Sequence, residues 1–282
     1  EAGYSAASLR LEKEMKAKEK VPASVNVLGL STVHMKGRED AEEIRRLLSL
    51  SGIRVISMPG GGSSWVDIME APAASLNVVV RDELGLSLAK QMEQDFGTPY
   101  MSCGLPYGTD GTIAWLSEIT QKLGAGDLTR ASHEAAKLKE FLLRKGNNLE
   151  SLWGPLWFDA VLISAPPSEA LGIAETIRSE WIDTARLVIH AQCVTEKTTP
   201  AADAIRIVMK NEKEITKDYE DWRGGLVLSS SHETHLLLRM GKSFTGFHIA
   251  LPSHDEVHFS DLPQCGLRGA GYLYEQLWNA KL

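Results

Sequence analysis

The stretch "SVNVLGLSTVHMKGREDAEEIRRLLSLSGIRVISM" (residues 24–58) decides the fold class. An apolar run at 24–30 precedes a segment of helical spacing at 37–52, which stops at a glycine, and a second apolar run follows at 53–58. Apolar runs rich in β-branched residues, separated by amphipathic helices, are typical of parallel strands buried on both faces. The stretch therefore predicts a strand–helix–strand unit of a parallel sheet.

The same alternation continues along the chain. Further strands are predicted at 75–80, 98–103, 158–164, 185–191, 224–231 and 244–250, and further helices at 84–97, 110–124, 133–146, 168–182, 201–214, 234–241 and 267–280. Two such runs predict an α/β protein with two Rossmann-like, doubly wound parallel-sheet domains at 21–124 and 125–282. The charged segment 1–20 has few apolar positions, and we expect a connecting helix that follows a missing N-terminal domain.

Net charge, hydropathy and cysteine number argue against nucleic-acid binding, membrane spanning and a disulfide framework. The formal net charge is −7, so no basic face is expected to bind nucleic acid. No apolar run approaches the roughly 20 residues of a membrane span, so no membrane partner is expected either. The 3 cysteines are too few and too scattered for a disulfide framework, which favours a reducing cytoplasm.

Ligands of open parallel sheets bind beyond the carboxyl ends of the strands, so candidate residues are expected where strands end. The second strand ends in Gly60, Gly61 and Gly62, followed by two serines and a helix. Backbone N–H groups there could cradle an anion, or the glycines could simply allow a tight turn. The pattern is neither a Walker motif nor G-x-G-x-x-G.

Two further features admit a metal. His254, Asp255 and His258 form an H-D-x-x-H cluster, which could hold a metal or could serve turn hydrogen bonds. Cys103 follows the fourth strand, where a thiolate could ligate a metal, although a buried inert thiol is the alternative.

The closing stretch "SDLPQCGLRGAGYLYEQLWNAKL" (260–282) brings three glycines to the start of a helix. They indicate either tight packing or an anion docked on the free N–H groups of the helix start.

Several motifs, in their order, resemble the nitrogenase component 1 type oxidoreductases. They are "GIRVISMPGGGSS" (52–64), "APAASLNVVV" (71–80), "FGTPYMSCGLPYGTDGTIAWLSEI" (96–119) and "LPQCGLRGAGYLYEQLWNAKL" (262–282). The last resembles the family pattern of a proline, two further residues, G-[YF]-R-G-A and a helix with a late asparagine. Leu267 stands where the family usually has an aromatic residue.

Members of this family have three α/β domains, and the resemblance implies that this chain comprises the second and third. The first domain, which carries most of the cluster-binding cysteines, would then lie outside residues 1–282. It implies a subunit that reduces a small molecule or a tetrapyrrole with low-potential electrons from an ATP-dependent iron–sulfur reductase protein. It also implies a homologous component 1 subunit as partner and an iron–sulfur cluster or metallocofactor in the full assembly. This fragment alone is expected to hold no cofactor and to be inactive.

The resemblance also implies site residues in a cleft between the domains. Expected cofactor-binding residues are His34, Gly60, Gly61, Gly62, Arg81, Tyr107 and Arg268, and expected metal ligands are Cys103 and His254. Arg81 stands where the catalytic nitrogenase subunit has a cysteine ligand, and the expected histidine ligand falls near Pro252, which argues against the molybdenum-cofactor subunit. A non-catalytic scaffold for metallocofactor assembly and a small-metabolite binding protein stay open as alternatives.

Overall fold

A computed structural model describes residues 2–191, 206–207, 217 and 219–282 of the chain. The described chain divides into two compact units. Unit 1 comprises Glu1–Lys139 and Leu262–Ala270, and unit 2 comprises Glu140–Asp261 and Gly271–Leu282. The sequence had placed residues 262–270 in the second domain, whereas here they group with unit 1; the predicted division at 124–125 stays a prediction.

Unit 1 is built around a parallel sheet. Its elements are α1 (Ala2–Glu12), β1 (Val21–Leu28), α2 (Gly37–Leu50), β2 (Arg54–Ser57), α3 (Trp65–Met69), β3 (Ala74–Val79), α4 (Asp82–Phe96), β4 (Tyr100–Ser102) and α5 (Thr109–Leu123). Within residues 2–139, four strands form the sheet in the order β2-β1-β3-β4, all parallel.

Both faces of this parallel sheet are covered, as expected when helices connect its strands. The last five residues of β1 and the last four of β3 are all buried, so both faces of each strand are covered. One face packs Leu28 and Val79 against Leu88 and Met92 of α4. Met15, which follows α1, joins the same cluster, so the opening segment belongs to the core of unit 1.

Unit 2 repeats the architecture. Its strands and internal helices are β5 (Trp157–Ala165), α7 (Pro167–Thr176), β6 (Asp183–Ala191), β7 (Arg206–Ile207), β8 (Leu226–Ser229), α8 (Ser231–Arg239) and β9 (Thr245–His248). Among the described residues, five strands form a parallel sheet in the order β7-β6-β5-β8-β9. Helices α6 (Thr129–Trp153) and α9 (Gly266–Lys281) carry residues of both units.

The structure corrects one predicted helix. Arg206 and Ile207, placed in a helix at 201–214 by the sequence, form strand β7 and pair with Val188 and Ile189 of β6. Pairing with a neighbouring strand outweighs local helical spacing in such a short segment. The rest of the predicted helix, and Cys193, lie outside the described residues.

The predicted fold class is confirmed: both units are α/β with parallel sheets. No helix in the described part of the chain is long and apolar enough to cross a membrane.

Candidate functional site

The carboxyl ends of β1, β2, β3 and β4 bring most of the predicted site residues to one edge of the unit 1 sheet. Two glycines let the loops after β1 and β3 approach closely there. A Cβ on Gly29, whose φ is +93°, would lie 2.6 Å from the Arg81 carbonyl oxygen. A Cβ on Gly85 would lie 2.8 Å from the Gly29 nitrogen. Glycine is therefore required where these two loops meet.

Arg81 lies at the centre of this edge, and its side chain is 0% exposed. Its guanidinium lies 3.9 Å from Asp40 Oδ2 of α2, whose side chain is 1% exposed, and donates to the Gly29 carbonyl at 3.4 Å. The sequence allowed either a ligand-binding arginine or a salt bridge to a nearby acid such as Asp82. A buried pair with Asp40 gives Arg81 a structural role. Its proposed contact with a ligand stays a prediction.

The same carboxylate holds the loop at 262–265 that precedes α9. Asp40 Oδ1 accepts the backbone N–H groups of Gln264 at 2.7 Å and Cys265 at 3.0 Å. Asp40 thus faces the guanidinium of Arg81 with one oxygen and two backbone donors with the other. This arrangement joins the strand exit at β3 to the start of the last helix.

A second acidic residue of α2 completes the contact with α9. Glu43, whose side chain is 0% exposed, accepts the backbone N–H of Arg268 at 3.2 Å. Arg46 donates to both Glu43 oxygens, at 2.7 and 2.8 Å, and also to both oxygens of Glu134. These hydrogen bonds, first of all those that Arg46 donates to Glu43, raise the pKa of Arg46 above its ordinary value.

The glycines of the closing stretch fit this contact. Gly266 has φ +73°, and a Cβ there would lie 2.4 Å from Glu43 Cγ. A Cβ on Gly269 would lie 2.4 Å from the Gln264 carbonyl carbon. The glycines at the start of α9 could serve tight packing or anion binding, and these contacts favour tight packing. The protein's own carboxylates accept N–H groups near the start of the helix, where an anion would otherwise bind.

The triple glycine has a similar explanation. Gly60 has φ +76°, its carbonyl accepts the Thr32 N–H, and a Cβ would lie 2.2 Å from the Leu30 carbonyl oxygen. Ser64 then caps the short helix α3 through a capping box with Asp67. These contacts favour the tight turn over the anion cradle. Gly61 is half-buried and Gly62 is exposed, so binding through the backbone of these glycines stays a prediction.

The other predicted ligand-binding residues differ in exposure. His34 is half-buried in the loop after β1, where its N–H donates to Ser31. Tyr107 is 3% exposed, and its neighbour Pro106 accepts the Gly266 N–H at 2.7 Å. Arg268 is exposed at the start of α9. Arg268 is therefore the candidate that is best placed to reach a ligand.

The two described cysteines differ in character. Cys103 is half-buried at the end of β4, with its sulfur 4.0 Å from the Val79 carbonyl. Cys265 is 0% exposed, and burial, reinforced by Asp40, raises the pKa of its thiol well above the ordinary value. Cys265 is therefore an uncharged thiol at neutral pH, and a metal-binding thiolate is disfavoured.

An iron–sulfur cluster does not fit the donors described here. Such clusters are held mainly by groups of cysteine thiolates. The described residues offer Cys103 and the uncharged Cys265, and the group of possible metal ligands that the structure brings together contains no cysteine.

That group lies in unit 2 and consists of His248, Glu256 and His258. The predicted metal ligand His254 is exposed and outside it, with its backbone N–H donating to Ser231 Oγ at 3.0 Å. His258, the other histidine of the H-D-x-x-H motif, is a member. Whether His254 binds a metal stays a prediction.

Sequence reasoning missed three residues of the unit 1 edge. Asp40 and Glu43 lie on the buried face of α2 with Ile44 and Leu47, and this spacing was the available signal. Tyr4 of α1 places its hydroxyl 2.8 Å from the Leu30 carbonyl oxygen and 3.0 Å from that of Pro59. Burial raises the Tyr4 pKa. No local pattern indicates this long-range contact.

Curated relatives of this chain are subunits of light-independent protochlorophyllide reductases. The relative from Prosthecochloris aestuarii is 25% identical over 278 residues, which cover 91% of this chain and 51% of that protein. The relative from Synechococcus sp. is 27% identical over 260 residues, covering 89% and 48%. The chain thus spans about half the length of the curated relatives it matches.

A solved structure shows the fold of this chain, and a family model shows its family. "Nitrogenase Cp1 at pH 6.5" superposes with a TM-score of 0.75 at 14% identity, covering 99% of this chain and 64% of that one, which shows a common fold. The model of the nitrogenase component 1 type oxidoreductase family matches residues 1–281. The chain therefore belongs to the nitrogenase component 1 type oxidoreductase family.

Proposed function

We propose that the chain is part of one subunit of a nitrogenase component 1-like oxidoreductase that reduces a small molecule or a tetrapyrrole. The observation that carries this proposal is the family match over residues 1–281, which includes both α/β units. The curated relatives add a substrate class, because the light-independent reductases that match 91% of this chain are named for protochlorophyllide, a tetrapyrrole.

In this proposal, electrons come from an ATP-dependent iron–sulfur reductase protein, and a homologous component 1 subunit completes the assembly in the cytoplasm. An iron–sulfur cluster or metallocofactor would supply the low-potential electron chemistry of the whole assembly. Because the described donors do not fit an iron–sulfur cluster, no electron-transfer step is assigned to residues of this chain.

What unit 1 contributes is a rigid edge. Arg81, Asp40 and Glu43 are buried and hydrogen-bonded, so they hold the strand exits and the start of α9 in fixed positions. A fixed edge can orient a bound substrate, which is the part of catalysis that the protein itself supplies. Arg268 is exposed there, and its guanidinium suits a carboxylate such as those on tetrapyrrole side chains.

The test uses the complete gene product, its homologous subunit and the reductase partner under anaerobic conditions with MgATP. Protochlorophyllide is the first substrate, and loss of its absorbance is the measurement. We expect ATP-dependent loss, with Arg268→Ala and Arg268→Lys both raising KM because lysine lacks the bidentate fork. A complex that transfers a metallocofactor without turnover would indicate a scaffold instead. Binding of a small metabolite without the reductase partner would indicate a binding protein.

A further inference from the structure

The loop after β9 brings three potential metal ligands together within unit 2. His248 ends β9, and Glu256 and His258 follow in the loop. One ligand atom from each residue lies within 4.8 Å of the other two. From this cluster we infer that His248, Glu256 and His258 bind one divalent transition-metal ion of the Zn²⁺ type, separate from any iron–sulfur cofactor.

The distances are close to those of a bound site. Glu256 Oε1 lies 3.8 Å from His248 Nδ1, and Glu256 Oε2 lies 3.7 Å from His258 Nε2. Two ligands of a tetrahedral zinc ion, each about 2.0–2.1 Å from the metal, lie about 3.4 Å apart. The two Glu256 contacts exceed that spacing by about 0.3–0.4 Å, and the two imidazole nitrogens lie within 4.8 Å of one another.

The two imidazoles are aimed at a common point. Ser253 Oγ lies 2.8 Å from His248 Nδ1 and 3.2 Å from His258 Nε2. A single small group thus reaches both nitrogens, so both face the same small volume. A metal ion would bind in this volume, close to the position of the Ser253 hydroxyl and between the two imidazole nitrogens.

The surroundings of His248 match those of a metal-bound histidine. The side chain is 2% exposed, and its other nitrogen, Nε2, lies 3.3 Å from Thr234 Oγ1 and 3.5 Å from Asp255 Oδ1. Metal-ligating histidines usually donate their second N–H to a carboxylate or another acceptor, which fixes the tautomer and the ring orientation. A proton on Nε2 leaves the Nδ1 lone pair for the metal.

The donor set selects the metal class. Two imidazoles and a carboxylate suit Zn²⁺, Co²⁺ or Fe²⁺, whereas iron–sulfur clusters take thiolates. Glu256 also accepts the His248 backbone N–H at 3.1 Å. The loop is therefore anchored without a metal, and the ion would add a cross-link between strand end and loop.

The test titrates the chelator-treated full chain with Co²⁺ and follows the visible d–d bands. We expect one Co²⁺ per chain, bands without a thiolate charge-transfer transition, and displacement of Co²⁺ by Zn²⁺. Glu256→Gln and His258→Ala, which change partly exposed side chains, should each weaken binding at least about 10-fold. Asp255→Asn should weaken it about 10–100-fold through the orientation of His248.

His232→Ala is the matched control, because His232 is an exposed imidazole on α8 of the same unit and lies outside the cluster. It should leave Co²⁺ affinity unchanged. Thermal melting of each variant in chelator checks that the fold is intact. Absence of Co²⁺ binding, retention of full affinity in Glu256→Gln and His258→Ala, or an equal loss in His232→Ala would overturn the inference.

Discussion

Replacing Asp40 tests whether its carboxylate holds the start of α9. The carboxylate is 1% exposed, accepts two backbone N–H groups at 2.7 and 3.0 Å, and faces the buried Arg81 guanidinium at 3.9 Å. Asp40→Ala leaves two buried N–H donors without their acceptor, at about 1–3 kcal/mol each. It also leaves a buried guanidinium without this counter-charge, and breaking such a pair costs about 3–5 kcal/mol. Because such costs overlap, we expect a total loss of at least about 4 kcal/mol.

Asp40→Asn separates the two contributions. The amide oxygen can still accept both N–H groups, so this variant should lose only the charge interaction. It should therefore be more stable than Asp40→Ala by at least about 2 kcal/mol. Glu42→Ala, an exposed acidic residue on the same helix, is the control and should change stability by less than about 0.5 kcal/mol.

Urea unfolding at neutral pH gives the free energies, and amide hydrogen exchange reports on the loop itself. Exchange at Gln264 and Cys265 should accelerate strongly in Asp40→Ala and only modestly in Asp40→Asn. Equal stability of the two variants, with unchanged exchange at both amides, would refute the assignment of Asp40 as the acceptor for this loop.

Three further predictions concern the same edge. Gly266→Ala should destabilise the protein by at least about 2 kcal/mol in thermal melts, because the added Cβ would lie 2.4 Å from Glu43 Cγ. Gly124→Ala is the control: Gly124 has φ +62° but open space around it, so this change should cost only about 1–2 kcal/mol. Equal costs would contradict the close contact at Gly266. Peptide mapping after brief thiol alkylation at neutral pH should find Cys103 modified and Cys265 protected, and rapid labelling of Cys265 would show that it is accessible. Because folding raises the pKa of the Cys265 thiol, the unfolded chain loses this proton at a lower pH than the folded chain does. The free energy of unfolding should therefore fall as pH rises above about 8.5. Cys265→Ser should flatten this decrease with pH, and an unchanged slope would contradict the raised pKa.

The parallel α/β architecture could be predicted because it depends on local patterns. Continuous apolar runs such as 75–80 mark strands buried on both faces, and helical spacing between them marks the crossovers. The family resemblance came from the order of several motifs, and the family match over residues 1–281 confirms it. A tight turn at Gly60 could also be predicted from the sequence, but the close approach of the Leu30 carbonyl to Gly60 could not.

The contacts of the candidate site could not be predicted because they join distant parts of the chain. Asp40 bonds to residues 264 and 265, more than two hundred positions away, and no spacing rule connects them. For Arg81 the sequence offered only a local acid as an alternative partner, whereas tertiary packing places Asp40 of α2 beside its guanidinium. Similarly, the H-D-x-x-H motif grouped His254, Asp255 and His258, whereas the possible metal ligands that the structure brings together are His258, Glu256 and His248 of the preceding strand.

The proposed function is tested most directly by electron transfer from the reductase partner. The reduced iron–sulfur protein is mixed anaerobically with the complete gene product and its homologous subunit, and the oxidation state of the reductase cluster is followed by electron paramagnetic resonance. We predict rapid oxidation of that cluster only when both the complete gene product and MgATP are present, whichever substrate the enzyme reduces. A reductase cluster that stays reduced in the complete mixture, with all three proteins shown to be folded, would contradict an oxidoreductase role for this chain.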